Sequence, residues 1–85
     1  MKTMELPQDV DTEKLAEVAL AMMWLTLHDT DVAPRVWKGV DWAVLDLLHE
    51  KGWIGNPKSK NKSVLITEKG QRLGEEFLVK HFGKT

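Results

Sequence analysis

Two histidines in this chain are each followed by a carboxylate, and a further carboxylate lies close to the first pair: His28-Asp29, Asp31 and His49-Glu50. Two imidazoles with a carboxylate can ligate a metal ion, and a His–Asp pair can move protons in acid–base catalysis. The spacing matches no recognised ligand pattern, and the chain has no cysteine. Both histidines fall in the last turn of a predicted helix, where an imidazole can bond to unpaired carbonyl groups.

Helix-end capping is therefore the favoured interpretation of His28 and His49. A small metal-dependent enzyme that uses both side chains is the weaker alternative. The sequence holds no recognisable catalytic motif and no glycine-rich phosphate loop. We expect no enzymatic activity and no cofactor.

A second set of reactive groups is cationic. Lys58, Lys60 and Lys62 alternate along the tip of a predicted hairpin. Residues two apart in an extended ribbon share a face, so the three ammonium groups would form a row able to contact DNA phosphates. Arg35 and Lys38 are further candidates for phosphate contact. The alternative, which we favour, is a solvated tip whose lysines keep an edge strand from pairing with other chains.

Three predicted helices and one hairpin must position these groups. They comprise a helix over 12–27, a helix that starts at 41 and ends at 52, strands that begin at 53–54 and span 63–66, and a helix from 67 to about 82. Asp11, Asp41 and Thr67 are suitable N-caps, and Gly52 is a suitable residue after a helix end. The segment 28–40 contains a proline and a glycine, which predicts a connection with at most one helical turn. The fold class is mainly α with a two-stranded β-hairpin (α+β).

Four segments of the chain resemble a small bacterial family whose function is uncharacterised. They are Leu27-His-Asp29, Trp37-Lys-Gly39 with Asp41-Trp42, Leu48-His-Glu-Lys-Gly-Trp-Ile54, and Ser63-Val-Leu-Ile-Thr67 with Gly70. The resemblance covers about 12–82, and its hairpin half is similar to winged-helix transcription regulators. It implies a bacterial origin and a winged-helix-like fold of three helices plus a wing. It supplies no activity.

The second predicted helix lies where a winged-helix protein would read DNA, yet its outward positions include Asp46 and Glu50. Base edges are usually read by Arg, Lys, Asn or Gln, and carboxylates are repelled by phosphates. DNA binding through the lysine-rich wing is thus the alternative function. Sequence-specific reading of the major groove is not expected.

The first predicted helix is apolar on all sides over 22–27. Such a half-helix must be covered from several directions, which is difficult within 85 residues. We therefore expect a protein-interaction module, either a homodimer built on the first and third helices or a complex with another protein. The candidate interface residues are Met22, Met23, Leu27, Trp37, Trp42 and Phe77.

Two of the four tryptophans, Trp37 and Trp42, flank the start of the second helix. Beside Arg35 and Lys38 they could form a surface patch of the composition found in interface hot spots. Alternatively, both fold inward and let the connection cover the first helix, with each indole N–H bonded to a carbonyl. The inward arrangement is the favoured one.

Composition limits the remaining possibilities. Residues 1–33 hold two lysines against seven carboxylates, whereas residues 34–85 hold ten basic against six acidic side chains. The longest continuous apolar stretch, 18–25, is too short to span a membrane, and no apolar secretion segment is visible. We expect a cytoplasmic protein with a flexible segment at 1–10, followed by one domain over 11–85.

Overall fold

The computed structural model describes residues 6–84, so the expectation for 1–10 falls partly on residues outside the described range. The chain runs through α1 (Thr12–Trp24), β1 (Arg35–Trp37), α2 (Trp42–Glu50), β2 (Ser63–Leu65) and α3 (Glu68–Phe82). Three helices and a two-stranded antiparallel sheet confirm the predicted α+β class. In this part of the chain, no helix combines the length and hydropathy needed to cross a bilayer.

Each helix begins at the predicted N-cap. The Asp11 carboxylate accepts a hydrogen bond from the Lys14 amide at 3.0 Å, and the Thr67 hydroxyl accepts one from the Gly70 amide at 2.9 Å. Asp41 caps α2 in the same way. After α2 the chain reverses at Gly52, whose φ of 76° suits glycine.

Helix α1 is shorter than the sequence predicted, ending at Trp24 instead of Leu27. The Thr26 hydroxyl donates to the Met23 carbonyl at 2.6 Å and accepts from the Trp37 amide at 2.9 Å. A threonine side chain that bonds to nearby backbone groups competes with helical hydrogen bonds. Thr26 thereby ends α1 and joins it to β1.

Strand β1 lies in the connection that was predicted to hold at most one helical turn. It pairs with β2, and the directly opposed Val36 and Val64 are buried. The predicted first hairpin strand at 53–54 is reduced to a single bridge between Ile54 and Ile66. The main partner of β2 is therefore β1 from before α2.

Helices α1 and α3 run antiparallel and form the largest packed pair in the molecule. Gly74 lies against Trp24, since a Cβ atom at Gly74 would be 2.8 Å from the Trp24 Cβ. Seven residues away on each helix, Glu17 accepts a 2.8 Å hydrogen bond from His81 Nε2. These two contacts fix the register of the pair.

The core lies between this helix pair, α2 and the inner face of the sheet. Its largest fully buried side chains include Leu20, Leu45, Leu48, Ile54 and Val36. Trp53 is also buried, and its ring centroid is 5.3 Å from that of Phe77. Gly70 packs against the Trp53 carbonyl so closely that a Cβ atom there would overlap it. Both α3 glycines thus permit close packing, Gly74 against α1 and Gly70 against the turn that follows α2.

Candidate interaction surfaces

The side of the α1–α3 pair turned away from the core carries apolar side chains that the chain does not cover. Exposed fractions are 52% for Met22, 57% for Leu25, 66% for Val79 and 53% for Phe82. We call this surface the outer α1–α3 face; it comprises Val18, Met22, Leu25, Leu78, Val79 and Phe82. Four of the seven large apolar side chains that are exposed within residues 6–84 belong to it.

Helical periodicity explains why this face exists. The core side of α1 is formed by Ala16, Ala19, Leu20 and Met23. Positions three, four and seven apart share one side of a helix, so Val18, Met22 and Leu25 fall on another side.

The same division occurs on α3. Gly74, Phe77 and His81 face α1 or the core, and Leu78 and Phe82, four residues apart, turn to the outer side. Leu78 is only half-buried and is not among the side chains packed on the core. The outer face therefore combines apolar positions from both long helices.

The predicted interface residues separate into two groups. Met23 is only 3% exposed and is a core residue, so its inclusion in the interface was wrong. Leu27, Trp42 and Phe77 are partly buried and pack against the core. Only Met22 and Trp37 lie on the surface, where Trp37 stacks on His28 with ring centroids 4.6 Å apart. The two tryptophans near α2 thus divide, one outside and one packed inward.

Sequence reasoning missed Leu25, Val79 and Phe82. A signal was present in the spacing of 18 to 25 and of 78 to 82. On α3, His81 and Phe82 both lie at helical spacing from Leu78, so spacing alone does not show which of them continues the apolar side of the helix. His81 faces α1, because its Nε2 donates a hydrogen bond to the Glu17 carboxylate. Phe82 is therefore the residue that lies on the outer side.

A small polar cluster of Glu17, Lys80 and His81 joins α1 and α3, seven residues along each helix from the contact between Trp24 and Gly74. The Glu17 carboxylate accepts hydrogen bonds from Lys80 Nζ at 2.9 Å and from His81 Nε2 at 2.8 Å. The hydrogen bond from the Lys80 ammonium, and next in size the one from His81, lowers the pKa of Glu17 below its ordinary value. Partial burial of the carboxylate acts in the opposite direction and is outweighed. The charged form of Glu17 is therefore favoured in the folded state.

Two of the five predicted phosphate-contacting cations are engaged within the fold. Arg35 donates from Nε to Ser63 Oγ at 2.7 Å and from Nη2 to the Ser63 carbonyl at 2.9 Å. Lys38 Nζ donates to the carbonyls of Pro57 and Ser59 and lies 5.4 Å from the Trp42 ring centroid. Both cations hold the sheet and the 57–62 segment in place.

Lys58, Lys60 and Lys62 are exposed, and within residues 6–84 none of them forms an ion pair. The segment that carries them is a series of bends instead of an extended strand. The predicted alternation of side chains along a ribbon does not apply there, so the proposed row of ammonium groups was wrong. Lys58 also lines a cleft that contains Asp46 and Glu50, which reduces its attraction for phosphate.

The two candidate metal-binding histidines each bond to a backbone carbonyl. His28 Nδ1 donates to the Thr26 carbonyl at 2.8 Å, and His49 Nδ1 donates to the Ile54 carbonyl at 3.2 Å. Because a carbonyl only accepts, Nδ1 carries the proton in each ring. Among the described residues, no group of three or more His, Cys, Asp or Glu is arranged to hold a metal ion. The described residues therefore do not provide a three-ligand metal site built on His28 and His49.

Comparison with known proteins identifies similarity without an assigned activity. The model of a family described as a domain of unknown function (DUF6429) matches residues 11–84. An uncharacterised protein, y4hR, from Sinorhizobium fredii (strain NBRC 101917 / NGR234) is 43% identical over 74 residues, which is 87% of this chain and 96% of the relative. No solved structure matches. These findings confirm the resemblance to an uncharacterised bacterial family.

Proposed function

The chain belongs to the DUF6429 family, and from this premise we propose that it is a non-enzymatic interaction module that self-associates through α1 and α3. The observation that supports the proposal is the outer α1–α3 face. Contiguous exposed apolar side chains on a monomer are a common mark of interaction sites. This face is carried by the two longest helices of the described chain and by Leu25, the residue that caps the end of α1.

The size of the face predicts a modest affinity. Covering the exposed half of a Leu or Phe side chain contributes roughly 1 kcal/mol. Four such side chains used twice across a two-fold interface give roughly 8 kcal/mol, against an association cost of at least about 4 kcal/mol. At most about 4 kcal/mol remains, which corresponds to a Kd near 1 mM, so we expect a weak dimer that becomes populated between roughly 100 μM and 1 mM.

Sedimentation velocity and light scattering across that concentration range test the proposal. Wild-type protein should shift from monomer to dimer, and Leu25→Ser or Phe82→Ser should remain monomeric. The matched control is Val32→Ser, since Val32 is 91% exposed but lies in the loop after α1, outside the outer face. A wild-type protein that stays strictly monomeric at about 1 mM would contradict self-association.

A second candidate function is contact with DNA phosphates, favoured by the three exposed lysines without carboxylate partners among the described residues. Duplex DNA titrated across a salt series should then show binding that weakens as salt rises. Replacing Lys58, Lys60 and Lys62 with Gln should reduce the salt slope by up to about three, whereas Lys69→Gln should leave it unchanged. Absence of salt-sensitive binding at low ionic strength would contradict this candidate.

A further inference from the structure

We infer that the outer side of the sheet, together with the lysine-rich segment that leads into β2, binds a single-stranded nucleic acid. A base stacks on Trp37, and Lys60 and Lys62 contact the phosphates next to it. The inference rests on the second candidate function, because it uses the same lysines, and it adds a base to the phosphates that they contact. It is independent of self-association through α1 and α3.

The outer side of the sheet presents an exposed aromatic ring. Val36 and Val64 are directly opposed and buried, and successive side chains of a strand point to opposite sides. Trp37 and Leu65 therefore lie on the outer side, where they are 49% and 43% exposed. A sheet that carries an exposed aromatic side chain on one face is a common platform for stacking unpaired bases.

Contacts with the end of α1 hold the Trp37 ring in place. The ring stacks on His28, with planes inclined by 24°. His28 Nδ1 is bonded to the Thr26 carbonyl, and the Thr26 hydroxyl accepts the hydrogen bond from the Trp37 amide. His28 covers one face of the indole, yet about half of the residue stays exposed. A ring that is already fixed loses little conformational freedom when a base stacks on it.

Positive charge without a carboxylate partner lies beside this ring. Trp37 is directly opposite Ser63, the residue that follows Lys62. The Lys38 amide donates to the Lys62 carbonyl at 2.8 Å, and Lys60 lies two residues before Lys62. Among the described residues, Lys38, Lys60 and Lys62 form no ion pair. Their charges therefore favour a phosphate close to a base on the indole.

Carboxylates limit this surface on two sides. The loop 29–33, which precedes β1, contains two aspartates. Beyond the lysine-rich segment, Asp46 and Glu50 line a cleft with Lys58. Phosphates are repelled at both places. A bound strand therefore runs from the indole along 60–62 and covers only a few nucleotides.

The combination of an exposed ring and lysines favours a single strand over other polyanions. Each nucleotide of a single strand offers both a flat base and a phosphate. In a duplex the bases are already stacked on one another, and an acidic peptide offers charge without a ring beside it. The expected occupant is therefore an unpaired strand of DNA or RNA.

Fluorescence anisotropy with labelled oligo(dT) and oligo(rU) of about 12 nucleotides tests the inference. Wild-type protein should bind a single strand with a Kd of about 10–100 μM at low ionic strength, at least about tenfold more tightly than a duplex of equal length. Binding of either strand in this way supports the inference, and the tighter of the two identifies DNA or RNA as the occupant.

Two sets of variants separate stacking from charge. Trp37→Ala should weaken binding at least about tenfold and leave the salt dependence unchanged, because it removes a ring and no charge. Lys60→Gln combined with Lys62→Gln should reduce the slope of log K against log salt by about 1.4. Lys69→Gln, which removes an exposed lysine of α3, is the control and should leave the slope unchanged.

Tryptophan emission distinguishes direct contact from support of the fold. Adding the strand should quench emission of the wild type. Trp37→Phe should bind within about tenfold of wild type, since a ring remains, but should lose the quenching. Phe82→Ala removes a half-exposed ring from the outer α1–α3 face and should change neither binding nor quenching. Circular dichroism of each variant should show wild-type helicity, because all the replaced side chains are exposed.

The outcomes distinguish the inference from the functions proposed above. Equal binding of duplex and single strand, unaffected by Trp37→Ala, would overturn the inference and leave phosphate contact intact. Equal binding of polyglutamate would show a general anion surface and would also overturn it. Absence of salt-sensitive binding up to about 300 μM protein would contradict both the inference and phosphate contact. Self-association is measured separately and is unaffected by any of these results.

Discussion

The inner and outer sides of the α1–α3 pair differ although the same two helices form both. On the inner side, Gly70 and Gly74 let α3 approach Trp53 and Trp24 as closely as backbone atoms allow. On the outer side, Leu25 and Phe82 are more than half exposed and meet no close neighbour that would cover them. The comparison shows that apolar composition alone does not determine what is core. On α3, the two glycines that allow close approach lie on the enclosed side.

The largest effect should come from Gly70→Ala on the inner side. A Cβ atom at this position would overlap the Trp53 carbonyl, which belongs to the backbone and cannot rotate away. We expect a loss of about 3 kcal/mol or more in the free energy of unfolding, well above the roughly 1 kcal/mol that alanine gains in helix propensity. Urea denaturation measures it. Gly39→Ala is the control, because nothing lies within 4 Å of a Cβ atom there, and equal stability of the two variants would contradict the close contact.

Gly74→Ala should have a smaller effect at the helix–helix contact. The new methyl would lie 2.8 Å from the Trp24 Cβ, so α1 and α3 must separate by a few tenths of an ångström. After the gain in helix propensity, we expect a net loss of about 1–2 kcal/mol in the free energy of unfolding. The same urea experiment checks it, and a variant more stable than wild type would show that the helix pair separates without cost.

The starting points of all three described helices could be predicted from local sequence. Asp11, Asp41 and Thr67 cap helices by contacts within three residues, and such signals are visible in the chain itself. Strand β1 could not be found in this way, because a three-residue strand beside Pro34 acquires its hydrogen bonds from β2, a distant segment.

The candidate surface was predicted only in outline. Excess apolar surface on α1 was visible, but the interface list contained Met23, which faces the core, and omitted Leu25, which does not. Choosing between them requires the direction of α1 relative to α3. That direction depends on Gly74 and on the binding of His81 by Glu17, contacts between residues more than 45 positions apart in the chain.

Glu17→Gln should change stability less than either glycine substitution and should do so in a pH-dependent way. Because Lys80 and His81 lower the folded-state pKa of Glu17 below 4.5, its contribution is present above that pH. It is lost as the pH falls through the lower, folded-state pKa. We expect a loss of less than about 1 kcal/mol at pH 7 for this surface cluster. Thermal unfolding at pH 7 and pH 3 should show the difference between wild type and Glu17→Gln shrinking at the lower pH.

The control for this measurement is Asp31→Asn, an exposed loop carboxylate that forms no ion pair among the described residues. Its difference from wild type should be near zero at both pH values. A Glu17→Gln difference that grows on acidification would contradict the assignment of the lowered pKa to this cluster.

The smallest effect on the monomer should come from the outer side, and it completes the comparison. Leu25→Ser and Phe82→Ser remove side chains that are 57% and 53% exposed, so each should change the free energy of unfolding by about 1 kcal/mol or less. Leu20→Ala, on the inner side of the same pair, should cost about 2–4 kcal/mol because Leu20 is fully buried. Urea denaturation below about 10 μM, where the expected dimer is dissociated, measures the monomer alone. If Leu25→Ser were as costly as Leu20→Ala under these conditions, the outer face would be part of the monomer's own core, and the reason for a second copy to cover it would be removed.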